Sequence, residues 1–168
     1  VVSDGVFSMN GDIADIATLV EVSQQHSAWL MIDDAHGVGV LGDNASGCVG
    51  NTWSSKDVPI LVGTLGKALG TAGAFVAGDT ELIDHLIQFS RSYVYTTAQP
   101  PAISAATLKA LEIVQGEPER RAQLNANIAY FRREALHLGL ALSDSATPIQ
   151  PLILGDETRT VCPPKSGN

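Results

Sequence analysis

The sequence contains few cysteines and few basic residues, and it has no long apolar run. Two cysteines among 168 residues are too few for the disulfide framework of a small secreted protein, which predicts a reducing, cytoplasmic location. Lys and Arg total 10 against 18 Asp and Glu, a net charge of -8, which argues against a nucleic acid or an anionic membrane as the main partner. Because no run approaches about 20 apolar residues, no membrane-spanning helix is expected.

The sequence does contain enough apolar residues for a core. Hydrophobic residues make up 45% of the chain, and the length is that of one ordinary globular domain or of a piece of one. The chain opens directly on the strand-like run 1–7 without a Met. We therefore expect it to begin inside a domain.

Apolar patterns alternate between strand and helix in the first half of the chain. Continuous apolar runs at 30–32 and 60–62 predict buried parallel strands, and 73–77 predicts another short strand. Apolar residues recur with helical spacing at 12–26, between the first two strands, and again at 80–91. This alternation predicts an α/β fold.

The second half is mainly helical. Helices are predicted at 103–114 and 118–138, and Gly139 is expected to end the second one. The apolar run 149–154 predicts an edge strand that enters a smaller α+β region. Residues 160–168 are rich in Pro, Gly and Ser and lack a periodic pattern, which predicts a disordered tail.

A lysine lies in a glycine-rich turn after the strand at 60–62. The run Gly63-Thr64-Leu65-Gly66-Lys67-Ala68-Leu69-Gly70 places Lys67 just past the C-terminal end of a strand, where open α/β sheets bind ligands. Small neighbours let a flat group approach the backbone, and Thr64 offers a hydroxyl to an anion. Taken alone, the segment is better explained by a solvated surface lysine. A nucleotide P-loop does not fit, because the glycines are too close and Ala68 replaces the magnesium-binding hydroxyl.

Two carboxylates and an imidazole follow the other apolar strand, in the run Asp33-Asp34-Ala35-His36. Asp33 and His36 alone leave a metal site short of ligands, so no metal is predicted. In an isolated turn, one Asp would cap the backbone and a backbone group would satisfy His36. Two such strand ends together instead suit a pyridoxal cofactor: Asp33 could keep a pyridine nitrogen protonated, His36 could hydrogen-bond the ring oxygen, and Lys67 could bond the aldehyde.

These two runs, together with Asp4-Gly5-Val6-Phe7-Ser8-Met9-Asn10-Gly11-Asp12, closely resemble the α-oxoamine synthases. That family belongs to the fold-type I pyridoxal-phosphate enzymes, and the resemblance extends to about Arg159. It implies that residues 1–115 form the C-terminal part of a large, mainly parallel-sheet domain of an α/β enzyme. It also implies that 116–159 form a linking helix and the start of a smaller α+β domain, before an aberrant tail at 160–168.

The resemblance also assigns a catalytic and cofactor-binding site. It implies that Asp33 pairs with the pyridinium nitrogen, that His36 contacts the ring oxygen, and that Lys67 holds pyridoxal 5'-phosphate as a Schiff base. Ser8 and Thr64 would line the cofactor, with Thr64 near the phosphate.

Further positions receive weaker or no assignments from the same resemblance. Thr97, in the run Tyr95-Thr96-Thr97, would reach toward the phosphate of the neighbouring subunit in the family's homodimer. The family often has Glu where Asp4 stands and Asp where Asn10 stands. Neither residue is therefore given a role.

Within the family, the runs 35–42 and 147–156 favour the branch that condenses L-alanine with a pimeloyl thioester during biotin biosynthesis, releasing carbon dioxide and the thiol carrier. The thioester could be one of CoA or of a carrier protein. A glycine-using relative, 2-amino-3-ketobutyrate ligase or 5-aminolevulinate synthase, is the alternative, because the run 63–68 is shared with both.

Members of this family are much longer than 168 residues. They carry a glycine-rich phosphate turn and a ring-stacking histidine in an N-terminal part, and an arginine for the substrate carboxylate in a C-terminal domain. Arg159 does not lie in that arginine motif, and Pro163 and Pro164 stand where a helix is expected. The chain is thus interpreted either as the central section of an active synthase or as a catalytically silent remnant that dimerises or binds cofactor weakly.

Overall fold

The structure, a computed structural model, describes residues 1–154 and contains a four-stranded sheet. The strands β1 (Val2–Asp4), β2 (Met31–Asp33) and β3 (Ile60–Thr64) are parallel and adjacent in that order. The fourth strand, β4 (Ala74–Gly78), lies antiparallel beside β3. The continuous apolar runs at 30–32 and 60–62 correctly predicted parallel strands.

The first helix, α1 (Ile16–Gln25), begins later than the predicted 12–26. Asp15 caps it, because the carboxylate accepts hydrogen bonds from the backbone N–H and the hydroxyl of Thr18 at 3.1 and 2.8 Å. The preceding residues are held by β-type contacts instead, since Val6 pairs with Ile13 in an antiparallel bridge. The helix therefore starts where its cap allows.

Four further helices follow within the described residues, namely α2 (Thr80–Phe89), α3 (Arg91–Val94), α4 (Pro101–Gly116) and α5 (Glu119–His137). The helices α2, α4 and α5 lie close to their predicted positions, whereas the short α3 was not predicted. The α4 helix begins two residues before the predicted start at 103, because Pro101 occupies its first turn, where a missing N–H costs nothing. Gly139 follows α5 with a φ of 72°, which confirms its predicted role as the stop.

The prediction of an edge strand at 149–154 is wrong. Leu152 forms only an isolated antiparallel bridge with Leu142. The side-chain amide of Gln150 donates to the carbonyls of Ser145 and Thr147 at 2.9 and 2.7 Å, which folds this segment back on itself. The predictions for Arg159 and for the tail at 160–168 lie outside the described residues.

The core of the sheet forms around β2, its most enclosed strand. Leu30 and Ile32 are completely buried, between β1 on one side and β3 on the other. The α1 helix covers them with its buried face. The cluster consists of Ile16, Val20, Leu30, Ile32, Val49 and Val58.

The chain forms two compact units, and the first contains the whole sheet. It comprises 1–7 and 13–121, whereas the second comprises 8–12 together with the described residues from 122 onward. The domain boundary predicted after residue 115 stays a prediction. Within residues 1–154, no helix combines the length and the apolar character needed to cross a bilayer.

Candidate active site

The carboxyl ends of the three parallel strands bring functional groups to one edge of the sheet. Asp4 and Asp33 are register partners at the ends of β1 and β2, and Asp33 lies beside Val62 of β3. Thr64, the last residue of β3, lies two positions further along. This is the edge where open α/β sheets bind their ligands.

Lys67 lies at the tip of a turn that leaves this edge after β3. Backbone hydrogen bonds of 2.9 Å close the turn, from Leu65 N–H to Gly73 O and from Thr71 N–H to Leu65 O. Lys67 is exposed, and its amine forms no ion pair with a described carboxylate. Hydrogen bonds therefore hold the backbone of the turn, whereas the amine of Lys67 has no described carboxylate partner.

The turn that carries His36 touches the turn that carries Lys67. A Cβ added to Gly39 would lie 2.7 Å from the Cβ of Ala68, so the two backbones approach more closely than any side chain at position 39 would permit. Gly39 also has a φ of 84°, which disfavours other residues. This contact brings Lys67 and His36 to the same part of the sheet edge.

Asp33 and His36 retain groups that a ligand can use. One carboxylate oxygen of Asp33 accepts the N–H of Ala35 at 3.0 Å, which is the turn capping expected of an isolated Asp-rich turn. Oδ2 has no described donor. The imidazole of His36 is partly exposed, and neither of its nitrogens bonds to a described backbone group.

The hydroxyl of Thr64 already forms two hydrogen bonds within the protein, which its predicted role beside a phosphate did not include. Its hydroxyl donates to the carbonyl of Gly73 at 3.1 Å and accepts the N–H of Gly66 at 3.2 Å. The same hydroxyl therefore stabilises the base of the lysine turn. A role beside a phosphate stays a prediction for this residue.

The two other predicted cofactor ligands are not brought to this edge by a described contact. Ser8 is exposed and belongs to the second compact unit. Thr97 is exposed and follows α3 in the segment that leads to α4. Both assignments stay predictions.

The sequence assigned no role to Asp34, which is completely buried. Oδ2 accepts the N–H of Cys48 at 2.7 Å, whereas Oδ1 has no hydrogen-bond partner. Burial raises the pKa of the Asp34 carboxyl, and hydrogen bonds from Cys48 partly oppose that rise. Alternation along the strand could have predicted this placement, because Asp34 lies two residues after the buried Ile32 and thus on the same face.

The donor set at the edge fits pyridoxal phosphate. Lys67 offers an amine for an aldehyde, Asp33 an unengaged carboxylate oxygen for a protonated ring nitrogen, and His36 an imidazole for a ring oxygen. Among the described residues, no group of three or more His, Cys, Asp or Glu is placed to hold a metal ion.

Comparison with known proteins gives a consistent family and fold. Residues 1–162 match the family described as aminotransferase class I and II. The chain is 65% identical over 161 residues to the 8-amino-7-oxononanoate synthase of Chromohalobacter salexigens, covering 96% of this chain and 42% of that protein. It thus spans less than half the length of such relatives.

Solved structures share this architecture. A serine palmitoyltransferase of S. paucimobilis, with a PLP–myriocin adduct bound, superposes with a TM-score of 0.86 at 26% identity, over 94% of this chain and 42% of that one. An 8-amino-7-oxononanoate synthase of Francisella tularensis gives 0.83 at 35% identity, over 95% and 48%. These matches confirm the predicted α/β fold class, that of the fold-type I pyridoxal-phosphate enzymes.

Proposed function

Because the chain belongs to the aminotransferase class I and II family, we propose that it is the part of a pyridoxal-phosphate-dependent acyltransferase in which Lys67 holds the cofactor. The observation that carries this proposal is the contact between Gly39 and Ala68, which joins the two turns that bear His36 and Lys67. The hydrogen-bonded turn fixes the backbone of Lys67, and its amine is free to react with an aldehyde.

Each of the three side chains has a distinct part in the proposed chemistry. The amine of Lys67 would hold the cofactor through its aldehyde carbon and, when free, could accept the proton from the substrate's Cα. The free oxygen of Asp33 accepts a hydrogen bond from the ring nitrogen and favours its protonated form. His36 donates to the ring oxygen. Bound pyridoxal phosphate supplies an electron-poor ring that stabilises the carbanion formed at Cα.

For the whole protein, we propose that the substrates are L-alanine and a pimeloyl thioester, joined with loss of carbon dioxide to give 8-amino-7-oxononanoate for biotin. Support comes from the 65% identity to a protein of that name, against 26% to a serine palmitoyltransferase. The proposal includes a homodimer in which Thr97 approaches the phosphate of the partner subunit.

Reductive labelling tests the assignment of Lys67. The chain is mixed with pyridoxal phosphate, reduced with borohydride, digested and analysed by mass spectrometry. We expect the label on Lys67, its loss in Lys67→Ala, and its retention in Lys56→Ala, which removes another exposed lysine of the same unit. Label on other lysines, or label that survives Lys67→Ala unchanged, would show that the proposal is wrong.

The choice of amino acid is tested separately by the absorbance of the cofactor-loaded chain. We expect L-alanine to change the spectrum at lower concentration than glycine. A preference for glycine would favour the 2-amino-3-ketobutyrate ligase or 5-aminolevulinate synthase type. Labelling at Lys67 without turnover of L-alanine and pimeloyl-CoA would identify the chain as one that only binds the cofactor.

A further inference from the structure

We propose that Asp34 is a positioning residue for His36: its buried carboxyl joins the turn at 34–41 to the loop at 42–48 and thereby fixes the imidazole at the sheet edge. The inference rests on the proposed function, because the placement of His36 matters only if it contacts a cofactor. Asp34 itself lies too deep to touch one, since its side chain is completely buried.

The carboxyl of Asp34 is enclosed by backbone from three separate segments. A Cβ on Gly5 would lie 2.8 Å from Oδ1, and one on Gly37 would overlap the same oxygen. A Cβ on Gly47 would overlap Oδ2. Because these three glycines have no side chains, they leave the space that the Asp34 carboxyl fills. The carboxyl is therefore closely packed against backbone on several sides.

The same residue ties the turn and the loop together. Its backbone carbonyl accepts the N–H groups of Gly37 and Val38, the two residues that follow His36, at 3.1 and 3.0 Å. Its side chain accepts the N–H of Cys48 at 2.7 Å from the loop. Asp34 is therefore the point at which the backbone around His36 is anchored to the loop.

The anchor needs the shape of the side chain and one acceptor oxygen. Oδ2 accepts the N–H of Cys48, whereas Oδ1 is buried without a hydrogen-bond partner. Burial raises the pKa of Asp34 above its ordinary value, and hydrogen bonds from Cys48 oppose that rise. Asn has the same shape and keeps one acceptor oxygen, so it should replace Asp34 as an anchor.

Nuclear magnetic resonance of the imidazole groups in the cofactor-free chain tests the inference directly. The resonance of His36 is identified by its loss in His36→Gln, and His85 on α2 serves as an internal reference in the same unit. Asp34→Ala should displace the His36 resonance while the His85 resonance stays in place. Asp34→Asn should leave both resonances at their original positions. Asp43→Ala, which removes an exposed acid from the same loop, should do so as well.

Cofactor binding gives the second measurement. We expect Asp34→Ala to weaken the affinity for pyridoxal phosphate by about tenfold or more and Asp34→Asn to change it less than about threefold, as for other supporting groups. If Asp34→Ala does not fold, Asp34→Leu, which keeps the branched outline of the side chain but not the acceptor, takes its place in both experiments.

The outcomes separate this inference from the proposed function. A folded Asp34→Ala or Asp34→Leu chain with an unmoved His36 resonance would overturn the positioning role. An equal displacement by Asp34→Asn would overturn it as well, because Asn keeps the shape and the acceptor oxygen. Failure of the unsubstituted chain to be labelled at Lys67 would contradict the proposed function, whereas the resonance of His36 would still report on Asp34.

Discussion

Asp33 and Asp34 are identical side chains at adjacent positions, yet their surroundings differ completely. Asp33 lies partly exposed at the sheet edge with one free carboxylate oxygen, whereas Asp34 lies in the interior against Cys48. Successive residues of an extended chain face opposite sides, so one acid is available to a ligand and the other is withdrawn from solvent. The same chemical group can thus serve as a ligand and as a support.

At the residue scale, we predict that Cys48 reacts slowly with iodoacetamide. Burial, with Asp34 beside the thiol, raises its pKa from 9.0 to about 12. Because only the thiolate reacts, the reactive fraction near pH 8 should be about a thousandfold below that of an ordinary thiol. The modified Cys48 peptide is quantified by mass spectrometry as a function of pH.

The shape of this pH profile distinguishes a raised pKa from poor access alone. Below a pKa of about 12, the rate should keep rising about tenfold per pH unit from pH 8 to 11. The chain unfolded in urea is the control and should level off near pH 9. Levelling of the folded chain near pH 9 would contradict the prediction.

At the scale of structural elements, the turn at 34–41 and the loop at 42–48 pack through glycines. We predict that Gly37→Ala lowers the free energy of unfolding by about 1–3 kcal/mol, because its Cβ would overlap the Asp34 carboxyl. Combining it with Asp34→Ala should cost less than the sum of the single changes, since the overlap is then removed. Urea denaturation measures all three variants.

Gly116 provides the matched control for this prediction. It ends α4, and a Cβ there would meet no atom within 4 Å. Gly116→Ala should leave the stability unchanged or raise it by up to about 1 kcal/mol. Additive effects of Gly37→Ala and Asp34→Ala would show that the two residues do not share this space.

The parallel strands β2 and β3 were the most predictable elements. The runs 30–32 and 60–62 are apolar throughout, which is typical of strands in a parallel sheet. The antiparallel direction of β4 was not predictable, because its small residues carry no signal of orientation. The segment 149–154 was mistaken for a strand because Gln150 bonds to nearby carbonyls through its side chain, and local sequence does not report such contacts.

The candidate site was predicted only in outline. Asp33, His36 and Lys67 were proposed because two strand ends carried reactive side chains that suited one cofactor, and their roles stay predictions. The contact of Gly39 with Ala68 depends on the packing of two turns and leaves no pattern in either. Asp34 could have been identified by alternation with Ile32, but an acid is rarely expected on a buried face.

At the scale of the whole molecule, one arginine organises the second unit. The guanidinium of Arg132 donates to the carbonyls of Ser143 and Ser145 at 2.9 and 3.0 Å and to the side-chain oxygen of Gln150 at 2.8 Å. These bonds hold a segment that has no regular secondary structure of its own. In this unit, the hydrogen bonds of Arg132 therefore hold the segment in the way that backbone hydrogen bonds hold a pair of strands.

We predict that Arg132→Met weakens the second unit by about 2 kcal/mol, because several charge-assisted hydrogen bonds are lost while the apolar stem is kept. Hydrogen exchange at the amides of Thr147 and Ile149, which bond to Ser145 and Thr147, should accelerate about thirtyfold. Exchange at Asp34, whose N–H bonds to Val62 in the sheet, should stay the same.

Arg133→Met is the matched control. Arg133 is exposed and pairs with its neighbour Glu134, and exposed pairs contribute little to stability. Its replacement should leave the exchange at Thr147 and Ile149 within about twofold of the original. Equal acceleration in the two variants, or acceleration at Asp34, would contradict the special role of Arg132.

The carbonyl of Gly11 accepts hydrogen bonds of 3.3 Å from the hydroxyls of Ser145 and Thr147. Since Gly11 and Ser145 are 134 residues apart, a ribosome that adds 5 to 20 residues per second delivers the second partner roughly ten seconds after the first. β1, α1 and β2 all lie before residue 34 and are made long before Ser145. Synthesis therefore imposes an order in which these three elements can pack together while the carbonyl of Gly11 remains hydrated, and its hydroxyl partners arrive later.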